Sequence, residues 1–289
     1  MTLPLVVRVR RLALRLRRPS RSVSAVEGED ARRPAAPDWP AFAERHIGQL
    51  LTQLKVDCVL DVGANQGGFA EMIRRAGWGG RIMSFEPQTA CRTVLSRRAA
   101  HDPAWSIHGA ALGDEEGTVR LTLRAASTVT SLHEPRLESA ITDEPGFREK
   151  FDVVGYEDVP VRRLDTLLDE LLDELSGERP ERIYLKIDTQ GHDEAVIAGS
   201  AEIFSRVVAL QVELTQDPLY HATSHAATVM EELHRSGFDL NATFPVFRDP
   251  HSQAMLEFDG VFVRSARRGP RLTPTELAAI WKPASADGP

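Results

Sequence analysis

The segment VLDVGANQGGFAEMI, residues 59–73, constrains the fold of this chain most strongly. A short apolar run is followed by a turn that contains Gly63 and Gly67, and an amphipathic helix begins directly after the turn. Both glycines can adopt positive φ and, without a Cβ, let the backbone approach a ligand closely. A strand, a glycine turn and a helix in this order predict a βα unit with a ligand crevice at the end of the strand.

The rest of the chain repeats this alternation of short apolar strands and helices. Helices are predicted over residues 39–54, 67–77, 89–100, 163–175, 193–204 and 222–237. Strands are predicted over residues 56–62, 81–87, 105–112, 182–188 and 206–215. This order predicts an α/β fold with right-handed crossovers and a mostly parallel sheet.

Three further features complete the predicted fold. Residues 238–244 and 256–264 are two strands with no helix between them, which indicates an antiparallel edge. Residues 118–124 alternate with period two and predict a hairpin strand. The polar stretch 125–150 indicates a loop or lid.

The composition excludes several classes of protein. With 42% hydrophobic and 27% charged residues, the chain is typical of a globular protein. Two cysteines, Cys58 and Cys91, are too few for a disulfide scaffold and favour a reduced, cytoplasmic setting. No apolar run approaches the roughly 18–20 residues that cross a bilayer, so an integral membrane protein is not expected.

Charge divides the chain unevenly. Of a total of −7, residues 1–36 carry +6, because they hold nine Arg against three acidic residues, and −13 remains for the rest. An acidic body argues against nucleic acid as a partner, since such binding depends on neutralising phosphates. We expect a basic, flexible arm at 1–36, a folded domain at 37–264 and a flexible tail at 265–289. The arm could lie on an anionic membrane surface, or be an unstructured leader.

The ligand of the crevice is indicated by its acidic residues. Glu86 ends the second strand nineteen residues beyond Gly67, where a carboxylate can accept the hydroxyls of a ribose. The turn has the spacing G-x-x-x-G rather than G-x-G-x-x-G, and Asp61 precedes it. Carboxylates with little positive charge suit a cationic nucleoside such as S-adenosylmethionine better than a pyrophosphate. The alternative is that Asp61 only caps the helix and Glu86 is a surface acid.

Five segments together resemble the FkbM family of S-adenosylmethionine-dependent methyltransferases: DVGANQGGF (61–69), SFEPQ (84–88), AALGDEEG (110–117), LKIDTQGHDEAVIAG (185–199) and VVALQVELT (207–215). The resemblance implies a class I, Rossmann-like seven-stranded sheet and O-methylation of a hydroxyl on a sugar, glycan or secondary metabolite. It also implies cofactor contacts: the methionine end from Asp61, Gly63, Ala64, Asn65 and Gly67, the ribose from Glu86, and the adenine side from 110–114, including Ala111 and Asp114.

The fourth motif supplies the catalytic candidates. The family usually reads K-I-D-V-E-G here, whereas this chain has Thr189 and Gln190 in place of the apolar residue and the Glu. Asp188, at the end of its strand, is the first candidate base for a hydroxyl proton. Lys186 points to the same side of the strand, so the alternative is an internal ion pair.

Two more side chains belong to the same candidate site. His192 begins a helix and could act as a base or only cap it, and Glu213 ends the next strand as a second wall or as an anchor for the loop. Segments 127–132 and 217–225, the latter with Tyr220 and His221, are candidate acceptor walls. No metal site is predicted, since His221 and His225 lack a carboxylate on their face.

Two other functions remain open at this point. One is a nicotinamide-dependent oxidoreductase, which the glycine spacing disfavours. The other is a non-catalytic nucleoside-binding scaffold, which the departures at Thr189 and Gln190 would allow. The sequence does not determine the acceptor or the oligomeric state.

Overall fold

The computed structural model describes residues 38–137, 146–174, 179–249 and 252–265. Its helices are α1 (Trp39–Gln53), α2 (Gly68–Arg75), α3 (Thr89–Ala99), α4 (Leu164–Glu174), α5 (Asp193–Ala198) and α6 (Ala226–Arg235). Its strands are β1 (Cys58–Val62), β2 (Arg81–Phe85), β3 (Trp105–His108), β4 (Ala111–Leu112), β5 (Gly117–Arg124), β6 (Val153–Arg162), β7 (Ile183–Ile187), β8 (Val207–Thr215), β9 (Phe238–Arg248) and β10 (Met255–Arg264).

Seven strands form one sheet in the order β3-β2-β1-β7-β8-β10-β9. The pairs from β3 to β8 are parallel, and β10 runs antiparallel to both of its neighbours. The predicted α/β fold with a mostly parallel seven-stranded sheet and an antiparallel edge is therefore confirmed. This is the sheet arrangement of the class I methyltransferase fold.

The strand order reverses between β1 and β7. The chain proceeds outward from β1 through β2 to β3, and then returns to β7 and proceeds the other way. Ligands of open α/β sheets bind outside the carboxyl ends of the strands at such a reversal. The turn after β1 and the turn after β7 therefore face the expected crevice.

Apolar side chains cover both faces of this sheet. On one face, residues of β1 and β7 such as Leu60 and Leu185 pack in a cluster with α4, α5 and α6. On the other face, residues such as Val59 pack with α1, α2 and α3. Burial on both faces explains why the parallel strands are continuously apolar in sequence rather than alternating.

Helix α1 begins the described body. Asp38 caps it, with Oδ1 accepting a hydrogen bond of 3.0 Å from the backbone N–H of Ala41, and Pro40 lies in the first turn. The predicted helix at 39–54 is confirmed. The arm at 1–36 and the tail predicted from 265 lie outside the described residues, except for Ser265 itself, and stay predictions. In the described ranges, no helix is long and apolar enough to cross a membrane.

The prediction for residues 105–112 was wrong in one respect. This segment is two strands, of which β3 pairs with β2 and β4 joins a separate three-stranded sheet in the order β4-β6-β5. Gly109 lies at the break between them. Strand β6 was not predicted, because Gly155, Pro160 and several charged residues interrupt its apolar pattern. The hairpin predicted from residues 118–124 is present as β5, antiparallel to β6.

The helix predicted over 193–204 is shorter than expected. It ends at Ala198 with Gly199 as its C-cap, and a 3₁₀ helix follows only at Phe204–Arg206. Gly199 lies close to Gly113, the residue that follows β4. A Cβ on Gly199 would lie 1.9 Å from the carbonyl oxygen of Gly113. This contact keeps the segment after β4 against the end of α5.

We predict that Gly199→Ala lowers the free energy of unfolding by about 1–3 kcal/mol, because the added methyl overlaps a backbone carbonyl. Urea unfolding followed by circular dichroism measures the change. The matched control is Gly79→Ala, where an added Cβ meets nothing within 4 Å, and its effect should stay within about 0.5 kcal/mol. Equal stability of the two variants would contradict the close approach.

Candidate active site

A cleft of about 650 Å³ lies at the carboxyl ends of β1, β2, β7 and β8. This volume is typical of small-molecule sites. Of the residues predicted from sequence for the cofactor and the chemistry, seven line it: Gly63, Asn65, Glu86, Ala111, Asp188, His192 and Glu213. Asp61, Ala64, Gly67, Asp114 and Lys186 do not line it.

The turn after β1 forms one wall of the cleft. Gly63 and Gly67 have φ values of 72° and 90°, as expected for glycines in this turn. A Cβ on Gly63 would lie 1.8 Å from the carbonyl oxygen of Asp188. Any larger residue would therefore separate the turn after β1 from the turn after β7.

Glu86 forms the wall beside this turn and is 3% exposed. Its Oε2 accepts a hydrogen bond of 2.8 Å from the backbone N–H of Asn65, and its Oε1 accepts one of 2.8 Å from that of Gln88. Burial raises the pKa of Glu86, and these two N–H donors oppose the increase. Each oxygen keeps a lone pair beyond its backbone contact.

Asp61 lies beneath the turn and is fully buried. The indole N–H of Trp105 donates to Ser84 Oγ at 2.9 Å, and Ser84 Oγ donates to Asp61 Oδ2 at 3.2 Å. Asp61 Oδ1 lies 3.5 Å from Lys186 Nζ. Burial raises the pKa of Asp61, against the opposing charge of Lys186. Asp61 is therefore not part of the cleft wall, and it supports the wall through its contacts with Ser84 and Lys186.

Lys186 links the two strands at the sheet reversal. Its ammonium lies 3.2 Å from Asp188 Oδ2 and 3.4 Å from the carbonyl oxygen of Gly63. Burial alone would lower the pKa of Lys186, but the carboxylates of Asp188 and Asp61 outweigh it and raise the pKa. The ion pair that the sequence left as an alternative for Lys186 and Asp188 is present.

Gln190 connects Asp188 to Glu213. Its Nε2 donates to Asp188 Oδ1 at 3.1 Å and to Glu213 Oε2 at 2.8 Å. The hydroxyl of Tyr220 lies 3.1 Å from Gln190 Oε1 and 3.0 Å from the carbonyl oxygen of Val129. Tyr220 is 4% exposed, so it supports Gln190 rather than presenting an open face to an acceptor.

Two acidic residues of β10 extend this site and were missed in the sequence. Asp259 pairs in register with Glu213, and Glu257 lies at the wall of the cleft. Burial and the neighbouring Asp188 raise the pKa of Glu257 to about 7 and that of Asp259 to about 6. Burial also raises the pKa of Glu213 well above its usual value. The available signal was the spacing of Glu257 and Asp259, which places both side chains on one face of a strand.

The cleft-lining loop, residues 127–133, connects the two ends of the cleft. Ser127 Oγ donates to Asn65 Oδ1 at 3.2 Å, and Ser131 Oγ donates to the carbonyl oxygen of Gln190 at 2.6 Å. Further along, the backbone N–H of Arg136 donates to the carbonyl oxygen of Leu219 at 2.6 Å. The hydroxyl of Tyr220 lies 3.0 Å from the carbonyl oxygen of Val129, and this contact joins the two predicted acceptor walls, 127–132 and 217–225.

His192 stands at the N-cap of α5 but makes no capping hydrogen bond with its side chain. Its Nδ1 lies 2.9 Å from Nε2 of His133, a residue that sequence reasoning did not select. Burial lowers the pKa of His192 to about 4, and it also lowers the pKa of His133. The pair joins the cleft-lining loop to α5.

Asp114 and His225 make their contacts outside the cleft. Arg163 Nη1 donates to the carbonyl oxygen of Asp114 at 2.7 Å. His225 Nδ1 lies 2.9 Å from the carbonyl oxygen of Gln216. Among the residues described, no group of three or more His, Cys, Asp or Glu is arranged to hold a metal ion.

The fold and the position of this cleft define a class I methyltransferase arrangement. Residues 61–240 match the methyltransferase FkbM domain, more than half of the chain. The chain belongs to the FkbM methyltransferase family.

Individual proteins with which the chain aligns share about a third of their residues with it or fewer. The chain is 31% identical over 172 residues to the methyltransferase sdnD of Sordaria araneosa, a match that covers 55% of this chain and 66% of that relative's length. It also aligns with magnesium protoporphyrin IX methyltransferase of Synechocystis PCC 6803 with bound SAM, at 12% identity and a TM-score of 0.41, over 78% of this chain and 81% of the other. Fibrillarin of Aeropyrum pernix, in complex with S-adenosyl-L-methionine, aligns at 12% identity and a TM-score of 0.39, over 78% and 76%.

We predict that the contribution of Glu257 and Asp259 to the unfolding free energy falls as pH rises from 5 to 8, opposite in sign to the contribution of the partly buried, neutral His133 and His192. Glu257 and Asp259 have pKa values of about 7 and about 6 when folded, above their usual values, so the folded state favours their protonated forms. Their contribution is greatest below the usual carboxylate pKa and is lost as pH rises through about 7. Glu257→Gln should remove on the order of 1–3 kcal/mol of this dependence.

Urea unfolding at intervals from pH 5 to 8 measures the slope for each variant. The matched control is Glu202→Gln, the same change at an exposed residue, which should keep the wild-type slope. A slope that Glu257→Gln leaves unchanged would show that this carboxylate titrates alike in the folded and unfolded chains.

Proposed function

We propose that this protein transfers a methyl group from S-adenosylmethionine to a hydroxyl of a sugar, glycan or secondary metabolite. The observation that carries the proposal is the position of Glu86, a buried carboxylate at the wall of a nucleoside-sized cleft, directly after β2. Each of its oxygens is held by one backbone N–H and retains a lone pair for a ribose hydroxyl.

The residues of the cleft fit this cofactor. The absence of a Cβ at Gly63 lets the turn after β1 close onto β7, which leaves the wall near Asn65 made of backbone and a short amide. Ala110, Ala111 and Leu112 give an apolar wall suited to a purine ring. Asp61 and Ala64 support the turn from behind.

The charges of the cleft favour a cationic ligand. Four carboxylates line it, against two cationic side chains, Arg98 and Lys150; the four are Glu86, Asp188, Glu213 and Glu257. A sulfonium is stabilised by such surroundings, whereas a pyrophosphate is repelled by them. The same acidity argues against a nucleic acid as acceptor. It also disfavours a nicotinamide dinucleotide.

The acceptor end is lined by both apolar and acidic side chains. Phe147, Leu219, Val246 and Phe247 line it together with Glu213 and Glu257. Apolar faces bind the carbon skeleton of a sugar-like or polycyclic molecule, and a carboxylate can accept a hydrogen bond from its hydroxyl. We therefore propose a small hydroxyl compound or glycan as acceptor.

The cofactor, when bound, supplies an electrophilic methyl group. The chain's own residues orient the acceptor oxygen, exclude water and accept its proton. The cleft-lining loop is held at both ends, by Asn65 and by Gln190, and in the proposed reaction it would limit the access of water to the cleft. Asp188 and Glu213 are the carboxylates placed to accept a proton.

We also propose a reducing, cytoplasmic setting for this reaction. Cys58 and Cys91 are both free and buried, which suits a compartment that keeps thiols reduced. A contact of residues 1–36 with an anionic membrane surface remains a proposal from their charge alone.

We predict that S-adenosylmethionine and S-adenosylhomocysteine bind the wild-type protein and that Glu86→Gln weakens both by about 10–100-fold. The neutral amide keeps the size of the side chain but loses the charged acceptor of the ribose hydroxyls, and a hydrogen bond to a charged group contributes about 1.5–3 kcal/mol. Isothermal titration calorimetry measures both affinities.

The control is Glu115→Gln, the same change at an exposed residue, which should bind as the wild type does. A wild-type protein that binds neither ligand would reject the methyltransferase proposal. Tight binding without methyl transfer to any acceptor would instead favour the non-catalytic scaffold.

A further inference from the structure

We propose that Glu213 accepts the proton of the acceptor hydroxyl, and that Gln190, oriented by Tyr220, is the positioning residue that holds Glu213 in place. This inference rests on the proposed methyl transfer. It separates the roles of two carboxylates, Asp188 and Glu213, that lie at the same end of the cleft.

The hydrogen bonds of the two carboxylates differ. Asp188 has both oxygens engaged, Oδ2 by Lys186 at 3.2 Å and Oδ1 by Gln190 at 3.1 Å. Glu213 has Oε2 engaged by Gln190 at 2.8 Å, and its Oε1 has no hydrogen-bond donor among the residues that the structure describes. Glu213 therefore keeps one oxygen without any protein donor for a hydroxyl at the cleft wall, whereas each oxygen of Asp188 already accepts a hydrogen bond from the protein.

The hydrogen-bond donors and acceptors around Gln190 determine which way its side-chain amide is oriented. Ionised carboxylates only accept hydrogen bonds, so the NH₂ of the amide must face Asp188 and Glu213, and its oxygen must face Tyr220. Ser131 fixes the backbone of the same residue, whose φ of 54° lies in the left-handed region. One neutral amide thus holds two carboxylates side by side.

The residue type at position 190 decides whether this arrangement is stable. A Glu at position 190 would place a third carboxylate between those of Asp188 and Glu213, where like charges repel. Gln supplies two donors and no charge.

The surroundings of Glu213 suit a group that binds a proton. Burial raises its pKa well above the usual value, and the nearby acidic groups on β10, after β7 and in α5 raise it further. The charged or titratable groups facing it are Asp188, Asp193, Tyr220, Glu257 and Asp259, with Lys186 one step away across Asp188. A raised pKa makes the ionised Glu213 carboxylate more basic, which favours transfer of the hydroxyl proton to it.

The acceptor oxygen forms a bond to the methyl carbon as the carbon–sulfur bond breaks, and sulfur keeps that electron pair. The O–H bond breaks, and its proton passes to Glu213 Oε1. Glu213 and Glu257 also line a second cavity of about 30 Å³, enough for a water that passes the proton onward.

The first experiment needs no acceptor. In protein labelled with ¹³C at the glutamate carboxyl carbons, Glu213→Gln identifies the Glu213 resonance, whose titration midpoint is then followed by NMR. Gln190→Glu should raise this midpoint by about one pH unit or more, because it adds a negative charge beside Glu213, and Asp188→Asn should lower it because it removes one. An unmoved midpoint in Gln190→Glu would overturn the positioning role.

The second experiment uses methyl-labelled S-adenosylmethionine with a panel of monosaccharides. Glu213→Gln should lower kcat by about 10²–10⁴-fold, leave the acceptor KM within about threefold, and abolish the acidic limb of the pH profile. Asp188→Asn should keep this limb but move it to lower pH, whereas a base at Asp188 would make the limb disappear. Tyr220→Phe removes the hydroxyl contact to Gln190 Oε1 and should lower kcat several-fold without changing KM.

The outcomes separate this inference from the function on which it rests. Thermal unfolding and S-adenosylhomocysteine binding first confirm that each variant folds and holds the cofactor product. Wild-type transfer with an undiminished rate in Glu213→Gln overturns the inference and keeps the proposed function. If no monosaccharide of the panel is methylated, the titration of Glu213 by NMR decides whether Gln190 positions Glu213.

Discussion

The buried ammonium of Lys186 is the interaction on which the rest of the site depends. It lies between Asp61 of β1 and Asp188 after β7, and only 7% of its side chain is exposed. Removing one partner of a buried ion pair costs about 3–5 kcal/mol, because the remaining charge has no counterion. Lys186 also contacts the carbonyl oxygen of Gly63. One charge therefore ties together the two turns that form the cleft.

From this ion pair, polar contacts continue in both directions along one face of the sheet. Towards the cofactor end they pass through Asp61 and Ser84 to Trp105. Towards the acceptor end they pass through Asp188 and Gln190 to Glu213. Every step joins neighbouring strands or the turns directly after them. A displacement of one strand would therefore shift the side chains at both ends of the cleft, because hydrogen-bonded groups that are packed together move together.

The sequence was sufficient for the parts of this design that depend on local pattern. The strand, glycine turn and helix of residues 59–73 predicted the position of the cleft, and alternation along the chain predicted the parallel sheet. Strand β6 and the small sheet were not predictable, because Gly155 and Pro160 weaken the local pattern and tertiary pairing overrides it. The role of Gln190 was also hidden, since it depends on Glu213 and Tyr220, which are distant in sequence.

The register of β8 with β10 explains why the acceptor end is so acidic, and this too is a long-range property. Asp259 lies opposite Glu213, and Glu257 lies further along the same strand. At neutral pH these groups reduce the stability of the folded chain, since burial and mutual repulsion both oppose their ionisation. In the proposed reaction, the same charges would lower the free energy of the bound sulfonium and raise the basicity of the carboxylate that receives the hydroxyl proton. The same carboxylates therefore lower the stability of the folded chain and favour the proposed reaction.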